Sequence, residues 1–218
     1  MIPALSDVLP LALGIAASPF PIIPVILLLL TPRAAVTSGA FLGGWAGGVA
    51  VATGLFAAVA GLLEMADQPP TWASWTRIVL GVALLAVGVR QFAGRGAAKD
   101  TPAWMQSIET ATPASAARLA LLLSLANPKI LLLAAAAGLS LGGAELGWGR
   151  TSALVAGFTV IASISVATPV LAHALWGERV LGPLGRAKVW LETHNAAVMA
   201  VVLLVLGVML VAKGASSL

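Results

Sequence analysis

Six long runs of apolar residues, separated by short polar or turn-forming segments, set the pattern of the chain. A helix that crosses a membrane needs about 20 mostly apolar residues, and each run reaches that length. The pattern therefore predicts six transmembrane helices, at about residues 8–30, 35–63, 72–92, 113–141, 151–176 and 189–212. Turn-forming residues separate the runs, at Thr31-Pro32, Gln68-Pro69-Pro70, Gly142-Gly143 and Gly182-Pro183. We interpret the first run as a span, not a signal peptide, because no basic residue precedes it.

The composition supports an all-α integral membrane protein. Of 218 residues, 60% are hydrophobic and 9% are charged, whereas soluble domains carry roughly 25% charged residues. This excludes a soluble enzyme and a nucleic-acid-binding protein. The absence of cysteine excludes disulfides and thiolate metal sites. No catalytic triad, paired carboxylates, phosphate-binding loop or metal-ligand cluster occurs in the sequence, so we expect no enzymatic activity, no cofactor and no metal.

The basic residues predict the orientation. Eight Lys or Arg residues fall in or next to the connections after the first, third and fifth runs, and three fall on the opposite side. Because Lys and Arg accumulate in cytoplasmic loops, we expect these odd connections in the cytoplasm and both termini outside. The third connection, residues 93–112, predicts a short interfacial helix: Thr101 would cap it, and Trp104 and Ile108 share one face. A plain connector is the alternative.

The two halves of the chain echo each other. Ala17-Ser18-Pro19 matches Ala126-Asn127-Pro128 at an offset of 109, and two further pairs of segments match in the same order at offsets up to 119. With three spans per half, the second half enters the membrane inverted, as in many secondary transporters. The prediction is one membrane domain: a first repeat (1–92), a cytoplasmic loop (93–112) and a second repeat (113–218).

Prolines predict a break near the middle of the first and fourth spans. Pro19 and Pro128 each lie ten or more residues from the ends of their runs, and each removes a backbone hydrogen-bond donor. Unpaired backbone groups at that depth are tolerated where protein or a wet cavity covers them, so a binding site is expected at the breaks. A purely structural kink is the alternative.

Lys129 directly follows the second break. A lysine near the bilayer centre costs about 2.5–3.5 kcal/mol on insertion scales, so it normally faces a cavity or a partner. Together with the amide of Asn127 it would bind a carboxylate or phosphate. The alternative is a side chain that extends along its own stem to the cytoplasmic interface.

The fifth span and the second span carry weaker signals. Ser165 and Thr168 could line a path, or their hydroxyls could bond to carbonyls one turn back. His173 lies three residues before Trp176, near the interface, where it could relay protons or have a structural role. Overlapping Gly-x-x-x-Gly pairs in residues 43–48 predict close helix packing, either within the chain or in a homodimer.

These motifs carry a resemblance to known families. Asn127-Pro128-Lys129 at the start of the second repeat resembles the lysine exporter superfamily. Within it, residues 9–14, 18–22 and 126–129 are most similar to glycolipid-addressing (sulfolipid-addressing) proteins. The resemblance implies movement of glycolipids from the bacterial inner membrane towards the envelope. Amino-acid exporters of the superfamily often have an acidic residue in the first span, and this chain has none there, which favours an amphiphilic substrate.

The leading hypothesis is therefore a transporter or export factor for a glycolipid or another amphiphilic lipid. Lys129 would bind the head group, Asn127 and Ser18 would supply hydrogen bonds, and Pro19 and Pro128 would keep the backbone unwound. Energy would come from a gradient or a partner. The alternatives are an exporter of small metabolites such as amino acids, and a scaffold without transport activity in a lipid-export complex.

Overall fold

The computed structural model describes residues 2–18, 20–64, 71–93, 108, 110–144 and 146–215. Every element within them is helical, which confirms the predicted all-α fold. In chain order they are α1 (Ile2–Ala16), α2 (Ile22–Leu29), α3 (Ala34–Glu64), α4 (Thr71–Ala93), α5 (Pro113–Leu125), α6 (Pro128–Gly142), α7 (Trp148–Trp176), a 3₁₀ turn (Gly177–Val180) and α8 (Leu181–Ala215). Pro19, the turn at residues 68–70, and Thr101 and Trp104 of the predicted interfacial helix lie outside the described residues.

The apolar helices indicate a membrane protein. Among the described residues, Ala34–Leu62 and Trp148–Trp190 are long and apolar enough to cross a membrane, and α5 with α6 forms a third candidate if the bent pair is one span. Shorter apolar helical stretches occupy Ser6–Ala16, Ile78–Arg90 and Ala200–Ala212. The first predicted span falls short because its break divides it into helices of 15 and 8 residues, and neither alone reaches about 20.

The two breaks have matching geometry where their first half-helices end. The Ala17 N–H donates to the Leu13 carbonyl at 2.8 Å, and the Ala126 N–H donates to the Leu122 carbonyl at 2.8 Å. Both pairs differ by 109 in number, the offset of the sequence echo. After the second break, Pro128 is the first residue of α6, where its missing N–H costs no hydrogen bond within the helix.

α5 and α6 follow each other along α3. The axes of the two half-helices differ by 69°, and glycines bring both against α3 at backbone distance. A Cβ added to the glycine of each pair would clash with its partner; the pairs, in order along α3, are Gly44 with Ala117, Gly48 with Ser124, Thr53 with Gly138, and Ala57 with Gly142. Because residue numbers rise together in both partners, α5 and α6 progress in one direction beside α3 and do not fold back on each other.

α4 and α8 form the second close pair. A Cβ on Gly81 would lie 2.9 Å from the Gly207 carbonyl oxygen, and one on Gly207 would lie 3.0 Å from the Gly81 carbonyl oxygen. A Cβ on Gly88 would lie 3.5 Å from the carbonyl oxygen of Ala200. Gly81 therefore faces Gly207 while Gly88 faces Ala200, so the two helices run antiparallel.

The core lies between these pairs. α7 packs on both α1 and α2, while α3 packs on α5, α6 and α7. Phe41 from α3 and Phe158 from α7 are almost fully buried, as is Trp45. The two phenylalanines are 117 residues apart and belong to the echoed segments of the second and fifth runs.

One predicted boundary is wrong. Gly182-Pro183 was expected to form the turn before the sixth span, but α8 already begins at Leu181. Proline fits the first turn of a helix because the first N–H groups there have no partner within the helix. The turn is made instead by the 3₁₀ segment, with Gly177 at φ 61°, a left-handed conformation that glycine adopts at little cost.

Candidate functional site

The break before α6 buries a charged side chain. Lys129 is 5% exposed, and it is the second residue of α6. The Asn127 side-chain oxygen accepts a hydrogen bond from the Lys129 backbone N–H at 3.1 Å. Asn127 is thus the N-cap of α6, a role that polar side chains of this size favour. Its amide NH₂ is left as the group that could donate to a ligand.

Ser18 lies at the equivalent place in the first break. It is 1% exposed, and its N–H donates to the Ile15 carbonyl at 2.9 Å. A Cβ on Gly14 would lie 3.4 Å from Cδ1 of Leu133. Gly14 is four residues before Ser18, and Leu133 is four residues after Lys129, so α1 and α6 meet one helical turn from each break. The structure thus brings the two breaks to neighbouring helices.

The hydroxyls predicted on the fifth span lie in different environments. Thr168 is on the exposed side of α7, and its Oγ1 donates to the Ile164 carbonyl at 2.7 Å, one turn back along the helix. The Ser165 hydroxyl oxygen is buried and has no hydrogen-bond partner within the described part of the chain. The same holds for Ser163, Thr53 and the indole nitrogen of Trp45. Buried polar atoms normally find a partner, so these four groups on α3 and α7 could each form a hydrogen bond with a ligand or a water molecule.

A cleft of about 750 Å³ opens at the end of α2, away from the breaks. Its polar lining consists of Thr31, Arg33, His173 and Glu178, and its apolar lining includes Leu29 and Leu181. His173 thus lines a cleft at the end of α2 that is distant from the first break, and the eight residues of α2 span about 12 Å. It belongs with a different set of residues from Lys129 and Ser18.

Sequence reasoning did not identify Arg33 or Glu178 as candidates for a site. Arg33 entered only as an orientation signal, and Glu178 not at all. The sequence signal that could have found them is their position: each follows a run of apolar residues directly, on connections predicted to lie on one side of the membrane. Two such turns can come together, and here residues 29–36 and 173–181 form one cleft.

Among the glycines at residues 43–48 of α3, only those on one side of the helix pack against another helix of the described chain. Gly44 and Gly48 contact α5, whereas nothing lies within 4 Å of a Cβ built on Gly43 or Gly47 in the part that the structure describes. The prediction of close packing inside the chain agrees with the first pair. The second pair leaves a smooth face open, so a homodimer remains a prediction.

Comparison with known families gives one match, which covers almost the entire chain. Residues 8–216 match the family described as Sap, sulfolipid-1-addressing protein. Searches among curated proteins and among solved structures gave no match. The matched region includes both breaks, Lys129 and all residues that line the cleft.

Proposed function

The chain belongs to the sulfolipid-1-addressing protein family, and from that premise we propose that it transports a glycolipid or a related amphiphilic lipid. The observation that carries the proposal is Lys129, a cation 5% exposed at the start of a half-helix. Burial of a lysine in a membrane helix is costly and marks a functional position. The first N–H groups of α6 add partial positive charge there. An acidic group on the lipid head is the chemistry that suits this position.

We propose that six spans form two inverted three-helix repeats. Three observations support this architecture: the matched hydrogen bonds that end α1 and α5, the 109-residue offset between them, and the contacts between α4 and α8. At the offset of 119 found in the sequence echo, Ala200 corresponds to Gly81 and Gly207 to Gly88. The contact of Gly81 with Gly207 and that of Gly88 with Ala200 then exchange under the repeat. Such reciprocity is expected when a two-fold axis relates two segments.

We further propose that both termini lie outside a bacterial inner membrane. The turns after the first and fifth predicted spans line the same cleft, which supports their placement on one side. Because Arg33, Arg179 and Arg186 belong to this side, the cytoplasm is the side that the distribution of positive charge favours.

In this proposal Lys129 binds the acidic group of the lipid head, while Asn127 and Ser18 supply hydrogen bonds. Pro128 starts α6 without needing a donor, and Pro19 would act in the same way in the first break. Ser165 offers a buried hydroxyl towards the path of the head group, and Thr168 has the weakest case because its hydroxyl is already used. The chain has no nucleotide-binding loop, so the energy comes from a gradient or a partner protein.

The test is native mass spectrometry of the gently purified protein, with lipid extracts of its host membrane as ligand source. We expect a co-purified lipid in the parent protein and its loss by about tenfold or more in Lys129→Met, the effect of removing one charged hydrogen bond in a buried site. Lys188→Met is the matched control, because Lys188 lies on α8 outside both breaks. Circular dichroism and size-exclusion chromatography would establish that both variants are folded.

The outcomes separate the proposal from its rivals. Lipid bound equally by the parent and by Lys129→Met would contradict the assigned site. No bound lipid, together with protection of cells against a toxic metabolite, would favour export of small molecules. No bound lipid and an obligatory partner in pull-downs would favour a scaffold within a lipid-export complex.

A further inference from the structure

The cleft at the end of α2 combines charged groups with an apolar wall. Arg33, His173 and Glu178 line it, and no hydrogen bond or ion pair joins these three side chains to other residues within the described part of the chain. Arg33 and Glu178 are both exposed, and an ion pair between exposed side chains would add little stability. Their separation leaves both available to a ligand.

The volume and place of the cleft fit the head of a lipid. A volume of about 750 Å³ lies within the range of roughly 300–1,000 Å³ typical of small-molecule sites. Leu30 and Val36, which also line it, are 54% and 63% exposed, so apolar surface continues from the cleft to the outside. Trp176, next to the cleft along the chain, is 59% exposed, as expected for an aromatic side chain at the membrane interface.

We propose that this cleft is a second binding site, which receives the head group of an anionic glycolipid before it reaches the breaks. Arg33 pairs with the acidic group, because a planar guanidinium binds sulfate and phosphate oxygens with two parallel hydrogen bonds. The Glu178 carboxylate and the His173 ring accept hydrogen bonds from sugar hydroxyls. The acyl chains leave past Leu30 and Val36 into the bilayer.

The carboxylate makes the site selective. A simple anion without hydroxyl groups would gain from Arg33 but would be repelled by Glu178, whereas a sugar that carries an acidic group satisfies both. The cleft also connects to the breaks through α2, whose eight residues span about 12 Å. A head group released from the cleft therefore has one short helix to pass before it reaches the level of Ser18. The inference rests on the proposed function for its substrate class, but it assigns different residues.

A cysteine protection assay tests the site directly. The chain has no cysteine, so Ala35→Cys places a single thiol in the lining of the cleft. The variant is reconstituted in nanodiscs of zwitterionic lipid, and its rate of reaction with a water-soluble maleimide is measured. The probes are 3-sulfogalactosylceramide, its uncharged counterpart galactosylceramide, phosphatidic acid and inorganic sulfate.

We expect 3-sulfogalactosylceramide to slow labelling at concentrations about tenfold below those at which galactosylceramide or phosphatidic acid has the same effect. Inorganic sulfate should give no protection. Arg33→Gln in this background should raise the protective concentration of the sulfated lipid by about tenfold or more. Arg33→Lys, which keeps the charge, should recover part of the loss. Arg179→Gln, which removes a charge from the 3₁₀ turn beside Glu178 but outside the cleft lining, should change nothing.

Other outcomes would overturn the inference. Equal protection by galactosylceramide would show that no acidic group is recognised, and protection by inorganic sulfate would show a site for small anions. If Lys129→Met abolished protection while Arg33→Gln left it intact, the head group would bind at the break alone. That result would leave the proposed function standing and remove the second site. Protection that survives in both Lys129→Met and Arg33→Gln would contradict both proposals.

Discussion

Two helix crossings hold corresponding places in the proposed repeats and are packed in opposite ways. Where α6 crosses α3, a Cβ on Gly138 would clash with the Thr53 carbonyl and lie 2.7 Å from Cβ of Phe56. One turn further on, Gly142 lies against Ala57 in the same manner. The crossing is closed because glycine lets the two backbones approach without side chains between them.

The corresponding crossing of α2 and α7 is open. The offset of 109 takes Gly138 to Leu29 and Gly142 to Arg33, and the offset of 117 takes Phe56 to His173. Leu29, Arg33 and His173 all line the cleft of about 750 Å³. The side chains of Leu29 and Arg33 thus stand where the other half has Gly138 and Gly142, and both line the cleft beside this crossing.

In the proposed transporter, this difference would correspond to one state of an alternating cycle. If two equivalent repeats can adopt each other's conformation, the closed end opens when the open end closes. Among the described residues, a cleft lies beside the crossing next to Arg33, whereas the crossing at Gly138 and Gly142 is closely packed. We therefore expect a second state in which the cleft is narrowed and the contacts of Gly138 and Gly142 are released.

The largest expected effect comes from breaking the closed crossing. Gly138→Ala puts a methyl group against the backbone of Thr53 and Ala57. Backbone atoms within a helix cannot shift aside as the end of a flexible side chain can. We expect a loss of about 1–3 kcal/mol of stability, as for overpacked cores, and a fall in Tm of roughly 2–4 °C per kcal/mol for a chain of this length.

The matched control for this change lies on α3. Nothing is found within 4 Å of a Cβ on Gly54 in the described part of the chain, so Gly54→Ala should keep or slightly raise the Tm because alanine favours the helix. Scanning fluorimetry in detergent measures both variants. Equal Tm values for Gly138→Ala and the parent protein would mean that this crossing is not tightly closed.

A second prediction asks whether the ends alternate. Ala35 is exposed in the cleft, whereas Ala60 is 3% exposed, against Gly142. An impermeant maleimide should label Ala35→Cys in inside-out vesicles about tenfold faster than it labels Ala60→Cys in right-side-out vesicles, because labelling of the buried Ala60 position waits for a local opening. During turnover with a transported lipid, labelling of Ala35→Cys should slow. Labelling of Ala60→Cys from the other side should rise.

This experiment also tests the orientation. Ala35→Cys should react in inside-out vesicles and resist the same reagent in right-side-out vesicles. Reaction of Ala35→Cys only in right-side-out vesicles would reverse the proposed topology. Rates that do not change with substrate at either cysteine would remove the alternating cycle and favour a static scaffold.

The helices could be predicted from the sequence, because the length of an apolar run and the turn-forming residues at its ends are local signals. The structure ends α6 at Gly142 and breaks the first and fourth runs within two residues of Pro19 and Pro128. The start of α8 was missed, since Gly-Pro suits both a turn and the first turn of a helix, and only the neighbouring 3₁₀ segment decides between them.

The site was only partly readable. Burial of Lys129 follows from its depth in an apolar run, which the sequence displays. The cleft depends on how far α2 and α7 stand apart, and this distance is set by side chains about 140 positions apart in the chain. The periodic pattern of apolar residues along the chain does not reveal how far two helices stand apart. The contrast between Gly138 and Leu29 becomes informative only after the repeat offset and the packing are both known.

The smallest expected effect separates the two roles assigned to Asn127. Its side-chain oxygen caps α6 through the Lys129 N–H, and loss of an N-cap costs about 1 kcal/mol. Asn127→Ala should therefore lower stability by about that amount, while Asn127→Ser, which keeps a capping oxygen, should restore it.

Only the amide NH₂ can donate to a lipid head group while the oxygen caps the helix. If Asn127 binds substrate, Asn127→Ser should stay as stable as the parent protein yet retain less lipid in native mass spectrometry. Full retention of lipid by Asn127→Ser would limit Asn127 to capping and would leave Lys129 as the residue that contacts the head group.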